Sequence, residues 1–137
     1  MRWVLFNMGA LILALIVSTP VMAGDADNIE NTIRSQFEAF QRDDFDQAFS
    51  YASPTIKGIF VSPDNFGRMV RQGYPMVWRP ASYRFLGLQD GPDGFSQIVE
   101  ITDQQGVTHY LRYAMINTPE GWQINGVEIL RGNPLAV

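Results

Sequence analysis

The chain has 137 residues, no cysteine, 46% hydrophobic and 12% aromatic residues, and a formal charge of −4. That length holds one core, and the apolar content is too high for a disordered segment. An acidic balance, with pI about 4.8, lacks the basic face that phosphate contact needs and sets nucleic-acid binding aside. Without cysteine there is neither a disulfide framework nor a thiol nucleophile.

Residues 1–23 read as a signal peptide. Arg2 supplies a short positive start, Val4 to Val17 is apolar apart from Asn7 and small residues, and Ser18, Thr19 and Pro20 end the run. Val21-Met22-Ala23 then forms a cleavage site before Gly24. This predicts export, to the periplasm of a bacterium. The alternative is a retained N-terminal membrane anchor, because the stretch from Trp3 just reaches across a thin bilayer. The short unbroken apolar core and the small-residue exit favour cleavage. A single domain over 24–137 then remains, with no stable membrane insertion.

The first half of that domain carries helical spacing. Asp27 and Glu30 form a capping pair, and Ile29, Ile33, Phe37 and Phe40 recur on one stripe. Asp43 and Asp44 break the helix, and Phe45, Ala48 and Phe49 begin another turn. Ser53-Pro54 and Ser62-Pro63 each set a capping hydroxyl before a proline at the first helical position. The second opens a helix with Phe66, Met69 and Val70 inward and Gly73 as its left-handed terminator. Tyr74 to Pro80 is an apolar link that serves as a plug or a lid.

From Ala81 the hydrophobic period changes to two, in segments 82–89, 95–103, 107–118 and 122–131. Gly106 and Gly121 each close a three-residue loop, which pairs Asp103 with Val107 and Thr118 with Trp122. A similar closure sets Phe85 opposite Val99. One face then gathers Tyr83, Phe85, Val99, Ile101, Leu111, Tyr113, Val127 and Ile129, suited to covering by helices. The other gathers Arg84, Leu86, Ile98, Glu100, Arg112, Ile116, Trp122, Ile124 and Glu128. The fold class is α+β, with N-terminal helices packed on a curved four-stranded antiparallel sheet.

That order of elements, closing on Gly121-Trp122-Gln123-Ile124-Asn125-Gly126-Val127, resembles the nuclear transport factor 2-like (cystatin-like) superfamily. More narrowly, Phe66, the run Met69-Val70-Arg71-Gln72-Gly73-Tyr74-Pro75 and the closing segment are similar to the bacterial domain of unknown function 4864. The resemblance implies a cone-shaped roll whose helices and concave sheet enclose a pocket. It transfers no catalytic residue, because the superfamily includes both isomerases and non-enzymatic binders.

Two sets of candidate site residues follow. Tyr83, His109, Tyr113 and Asn125 share the apolar face and would orient a small ligand inside a cone. In an enzymatic alternative, His109 is the base and Tyr83 or Tyr113 donates a hydrogen bond to a developing enolate, as in an isomerase or dehydratase. The plainer role for His109 is a hydrogen-bonded or solvated histidine at the sheet end. On the other face Arg84 falls across from Glu100 and Arg112 across from Glu128, beside Trp122. That pattern reads as a self-complementary surface for a homodimer, or else as a solvated sheet face carrying a cross-strand ion network. One histidine and no cysteine leave a zinc site without ligands, and Asp43, Asp44 and Asp46 read as helix-start charge. No metal and no cofactor is expected. The leading expectation is a non-enzymatic exported domain that binds a small apolar or amphipathic ligand, or a protein partner, in the cone. The alternatives are the His109 enzyme and a structural module acting through the charged sheet face.

Overall fold

The computed structural model describes residues 23–91 and 94–136, so the expected signal peptide lies outside the described residues up to Met22. Helix α1 (Ala23–Gln41) buries Ile29, Ile33, Phe37 and Phe40 almost completely, as their spacing requires. It begins earlier than expected, so Asp27 lies on its exposed side and caps nothing. Three short helices follow: α2 (Phe45–Ser50), α3 (Pro54–Phe60) and α4 (Pro63–Gly73). Asp44 caps α2 by accepting the Gln47 N–H at 3.1 Å. Ser53 and Ser62 accept the Ile56 and Asn65 N–H groups, each at 3.2 Å, with proline in the first turn of each helix. Each cap contributes about 1 kcal/mol.

Gly73 does not terminate α4 in the left-handed region. It is the last helical residue, and Tyr74 turns the chain with φ −135°. The cause is Pro75, which pushes the residue before it out of the helical region and opens one more turn, α5 (Pro75–Trp78). Met76 and Val77 of α5 are buried, so the apolar link plugs the end of the core.

Strands β1 (Ser82–Gly91), β2 (Gly94–Thr102), β3 (Thr108–Thr118) and β4 (Gly121–Leu130) form an antiparallel meander in the order β1-β2-β3-β4. The middle hairpin closes as expected. Asp103 N–H donates to Val107 O at 2.9 Å, and Gly106 takes φ 83°. Phe85 faces Val99, Arg84 faces Glu100 and Arg112 faces Glu128, also as expected.

The last hairpin departs from expectation next to its turn. Thr118 pairs with Gly121 and Asn117 with Trp122, and the register then shifts between Ala114 and Met115, with Asn125 as the extra residue. The Thr118 hydroxyl explains the tighter turn: it accepts the Glu120 N–H and donates to Gly121 O. A bulge reverses the alternation beyond it. Trp122 and Ile124 therefore join the helix-facing side rather than the outer face, and both pack on the core. A second shift between Phe85 and Gly87 removes Leu86 from its expected place opposite Ile98 and returns Leu88 to the core side.

The core lies between the helices and the inner sheet face. The free edge of β4 is also covered, since Ile124 exchanges hydrogen bonds with Tyr51 O and Ser53 N at 2.8 Å each. The Thr32 hydroxyl donates to Trp122 O at 3.0 Å beside them.

Candidate functional site

Packing between helices and sheet leaves a cavity of about 260 Å³. Its wall takes Phe40 from α1, Ala52, and Ile56 and Phe60 from α3. Phe66 and Val70 of α4, Tyr74 and Val77 close the helical side, against Tyr113, Ile124 and Val127 of the sheet. The local cause is α3, which contributes no fully buried residue and therefore spans the space without filling it. The β4 bulge supplies the opposite wall by turning both Ile124 and Val127 inward.

Few polar groups reach this space. Gln36 directs its amide N–H to Ala48 O at 3.1 Å, and the Tyr74 hydroxyl donates to Val127 O at 3.1 Å. Tyr113 differs: its side chain is fully buried and its hydroxyl has no hydrogen-bond partner among the described residues. Burial pushes its phenol well above the ordinary range, and the neighbouring Tyr74 adds to that shift. The hydroxyl is therefore a neutral donor.

The other expected pocket residues have their own partners. Tyr83 stacks on Phe37 with ring centroids 4.4 Å apart, and burial raises its phenol pKa. Asn125 accepts a hydrogen bond from Ser53 at 2.7 Å, which ties the start of α3 to the bulge. His109 sits at the β2–β3 turn with Nε2 2.8 Å from Asp103 Oδ2. The other oxygen of Asp103 accepts the Gln105 and Val107 N–H groups at 2.9 Å each. These bonds hold the Asp103 carboxyl below the usual carboxylate range, the one to His109 most strongly. Tyr113 is thus the one expected pocket residue in the cavity wall, while His109 and Asp103 brace a loop.

Sequence reasoning missed the wall residues Ile56 and Phe60, whereas Tyr74 and Val77 belong to the link it reads as a plug or a lid. The spacing of Ile56 and Phe60, four apart behind the Ser53-Pro54 cap, was the available signal. It also missed Asp103 as the partner of His109, although an aspartate opening a tight loop commonly accepts N–H groups farther along it.

On the outer face, Arg84 reaches both Glu100 oxygens at 2.8 and 3.1 Å, and Arg112 reaches Glu128 at 2.9 Å. The Arg84 hydrogen bonds hold the Glu100 carboxyl below its ordinary range. Trp122, expected beside them, lies on the other side of the sheet, where its indole N–H donates to Asp25 at 3.2 Å. Asp43 is not helix-start charge alone. It accepts from the Trp78 indole at 2.9 Å and from Arg79 at 3.0 Å, which fastens α5 to the end of α1.

Fold and site together define an α+β domain in which short helices close one face of a four-stranded meander over an apolar cavity. The chain belongs to the family described as domain of unknown function DUF4864, whose profile matches residues 22–137. No curated protein and no solved structure matches it.

Proposed function

We propose that this protein is an exported, non-enzymatic carrier or sensor that holds a small apolar or amphipathic molecule in the cavity between its helices and sheet. The observation that carries this reading is the pocket itself, an apolar space of about 260 Å³ between α3, α4 and the sheet that opens to solvent beside the exposed Ile59. An apolar molecule seated there would take apolar wall out of water, at about 25 cal/mol per Å² removed. The element order also resembles the cone of the nuclear transport factor 2-like superfamily, which supports a pocket in this position. Export is supported by the leader-like composition of residues 1–23.

Native mass spectrometry of the mature protein, purified from the compartment to which it is exported, tests the reading. The expected result is added mass on the wild type that is absent from a Val70→Trp variant, whose indole fills the cavity. Bare wild-type protein that also shows no rise in melting temperature with any apolar probe would sink it. The paired charges of the outer face support a second role in self-association. There, Arg112→Glu should dissociate a dimer and adding Glu128→Arg should restore it; full association of the single variant ends that reading.

A further inference from the structure

Among the described residues, the two most exposed large apolar side chains lie two positions apart, Ile59 at 64% and Val61 at 77% of full exposure. Ile59 stands one residue before the end of α3 and lines the apolar pocket with Phe60 and Met69. Val61 follows in a tight turn: its φ is 70° with ψ −42°, and the Ser62 N–H donates to Phe60 O across it at 2.8 Å. That is a γ-turn of the strained hand, which a β-branched residue occupies poorly. Bonds from α4 enforce it. Asn65 donates a second hydrogen bond to Phe60 O at 3.0 Å, and the Ser62 hydroxyl accepts the Asn65 N–H at 3.2 Å. Strain that neighbouring bonds enforce, and that leaves a valine in solvent, marks a contact surface rather than core packing.

Charge around this corner narrows what it meets. Between residues 54 and 73, Lys57, Arg68 and Arg71 stand against Asp64 alone, whereas the rest of the chain has seven basic and thirteen acidic residues. Arg68 is exposed and reaches the same Asn65 side chain at 3.4 Å, so a cation stands beside the turn. An apolar tip next to cations, on a domain that is acidic elsewhere, is complementary to anionic lipid. We infer that the α3–α4 corner docks this protein reversibly on an anionic phospholipid surface, with Ile59 and Val61 entering the headgroup boundary and Arg68 facing lipid phosphates. The acidic remainder is repelled by that surface, which fixes the orientation. Docked in this way, the pocket mouth beside Ile59 lies against the membrane. The docking itself does not depend on what the pocket holds.

The test is co-sedimentation of the mature protein with vesicles of phosphatidylcholine alone, or with about one-third phosphatidylglycerol added. The expected result is binding to the mixed vesicles and not to phosphatidylcholine, weakened severalfold in high salt. Val61→Gly should bind at least about fivefold more weakly yet melt no lower than the wild type, because glycine relieves the turn as it removes the apolar tip. Ile59→Ser, at an exposed helical position, should weaken binding similarly without touching the turn. Arg68→Gln should lose about fivefold. Unbound wild type, equal binding to both vesicles, or undiminished binding by Val61→Gly and Ile59→Ser would each overturn the inference. So would a wild-type dimer that Val61→Gly dissociates, which would assign the corner to a second copy. Added mass on the protein decides the pocket reading and sedimentation decides the docking, so either can fail alone.

Discussion

The two sides of the sheet treat polar groups in opposite ways. On the outer side Arg84 and Glu100, and Arg112 and Glu128, satisfy each other across neighbouring strands in the presence of solvent. On the inner side Tyr113 is buried without a partner among apolar walls. Solvent would have met the needs of the outer charges anyway, whereas nothing among the described residues hydrogen-bonds to the Tyr113 hydroxyl. A fold selected for stability alone would place phenylalanine there. The asymmetry teaches that the outer charges are satisfied without a partner molecule, whereas the buried hydroxyl finds no partner among the described residues.

The largest way to break this comparison is to remove what joins helix to inner sheet. Phe37→Ala deletes a fully buried ring that touches both Tyr83 and Tyr113. It should lower the unfolding free energy by about 3–5 kcal/mol in urea titration. A loss below about 1 kcal/mol would mean that α1 is held by something else.

Gly67→Ala comes next. A Cβ there would lie 2.5 Å from the Phe45 ring, so that ring must swing aside or α2 must shift, at about 1–3 kcal/mol. Helix propensity alone would favour alanine by about 1 kcal/mol. A stabilised variant would therefore disprove the close approach.

Tyr113→Phe sharpens the contrast because it should cost no stability. Removing an unsatisfied buried hydroxyl should leave the empty protein unchanged or more stable by about 1 kcal/mol. A loss of that size would show that the hydroxyl is already bonded in the empty protein.

The smallest effects belong to the outer face and the loops. Arg112→Gln should cost about 0.2–1 kcal/mol and less in high salt, read as a shift of the urea midpoint. The carboxyls of Asp43, Glu100 and Asp103 are all held below their ordinary range, by Trp78, Arg84 and His109 respectively. Their contribution is fully present above the unfolded carboxylate pKa, about 4, and fades as pH falls through the lower folded values. The stability of Asp103→Asn should accordingly fall less steeply than that of the wild type on acidification below about pH 4. Parallel pH profiles would remove Asp103 from the account.

Local signals made much of this fold legible, and nonlocal ones hid the rest. The α1 stripe, the two Ser-Pro caps and the loop ending at Gly106 depend on residues within a few positions of one another. The β3–β4 register depends on a single inserted residue, Asn125, whose position is set by Ser53 from a different element. No alternation pattern announces it, so simple alternation puts Trp122 and Ile124 on the wrong side of the sheet. The site shows the same division. Strand alternation put Tyr113 inward, but a cavity is defined by what packing fails to fill, and α3 gives no such warning in its own sequence. His109 found its carboxylate only because a tight loop brings Asp103 back toward it.

One consequence lies in how copies of this chain can associate through their backbones. Tyr51 to Ser53 occupy the middle of the outer edge of β4, where Ile124 would otherwise offer its N–H and carbonyl groups. β1, at the other end of the sheet order, has no strand beyond it among the described residues. Growth of a continuous ribbon needs two receptive edges per molecule, one to receive and one to offer. With β4 blocked, edge pairing through β1 closes on itself after two copies. Residues 51–53 thus leave Ile124 with no backbone group to offer a second copy.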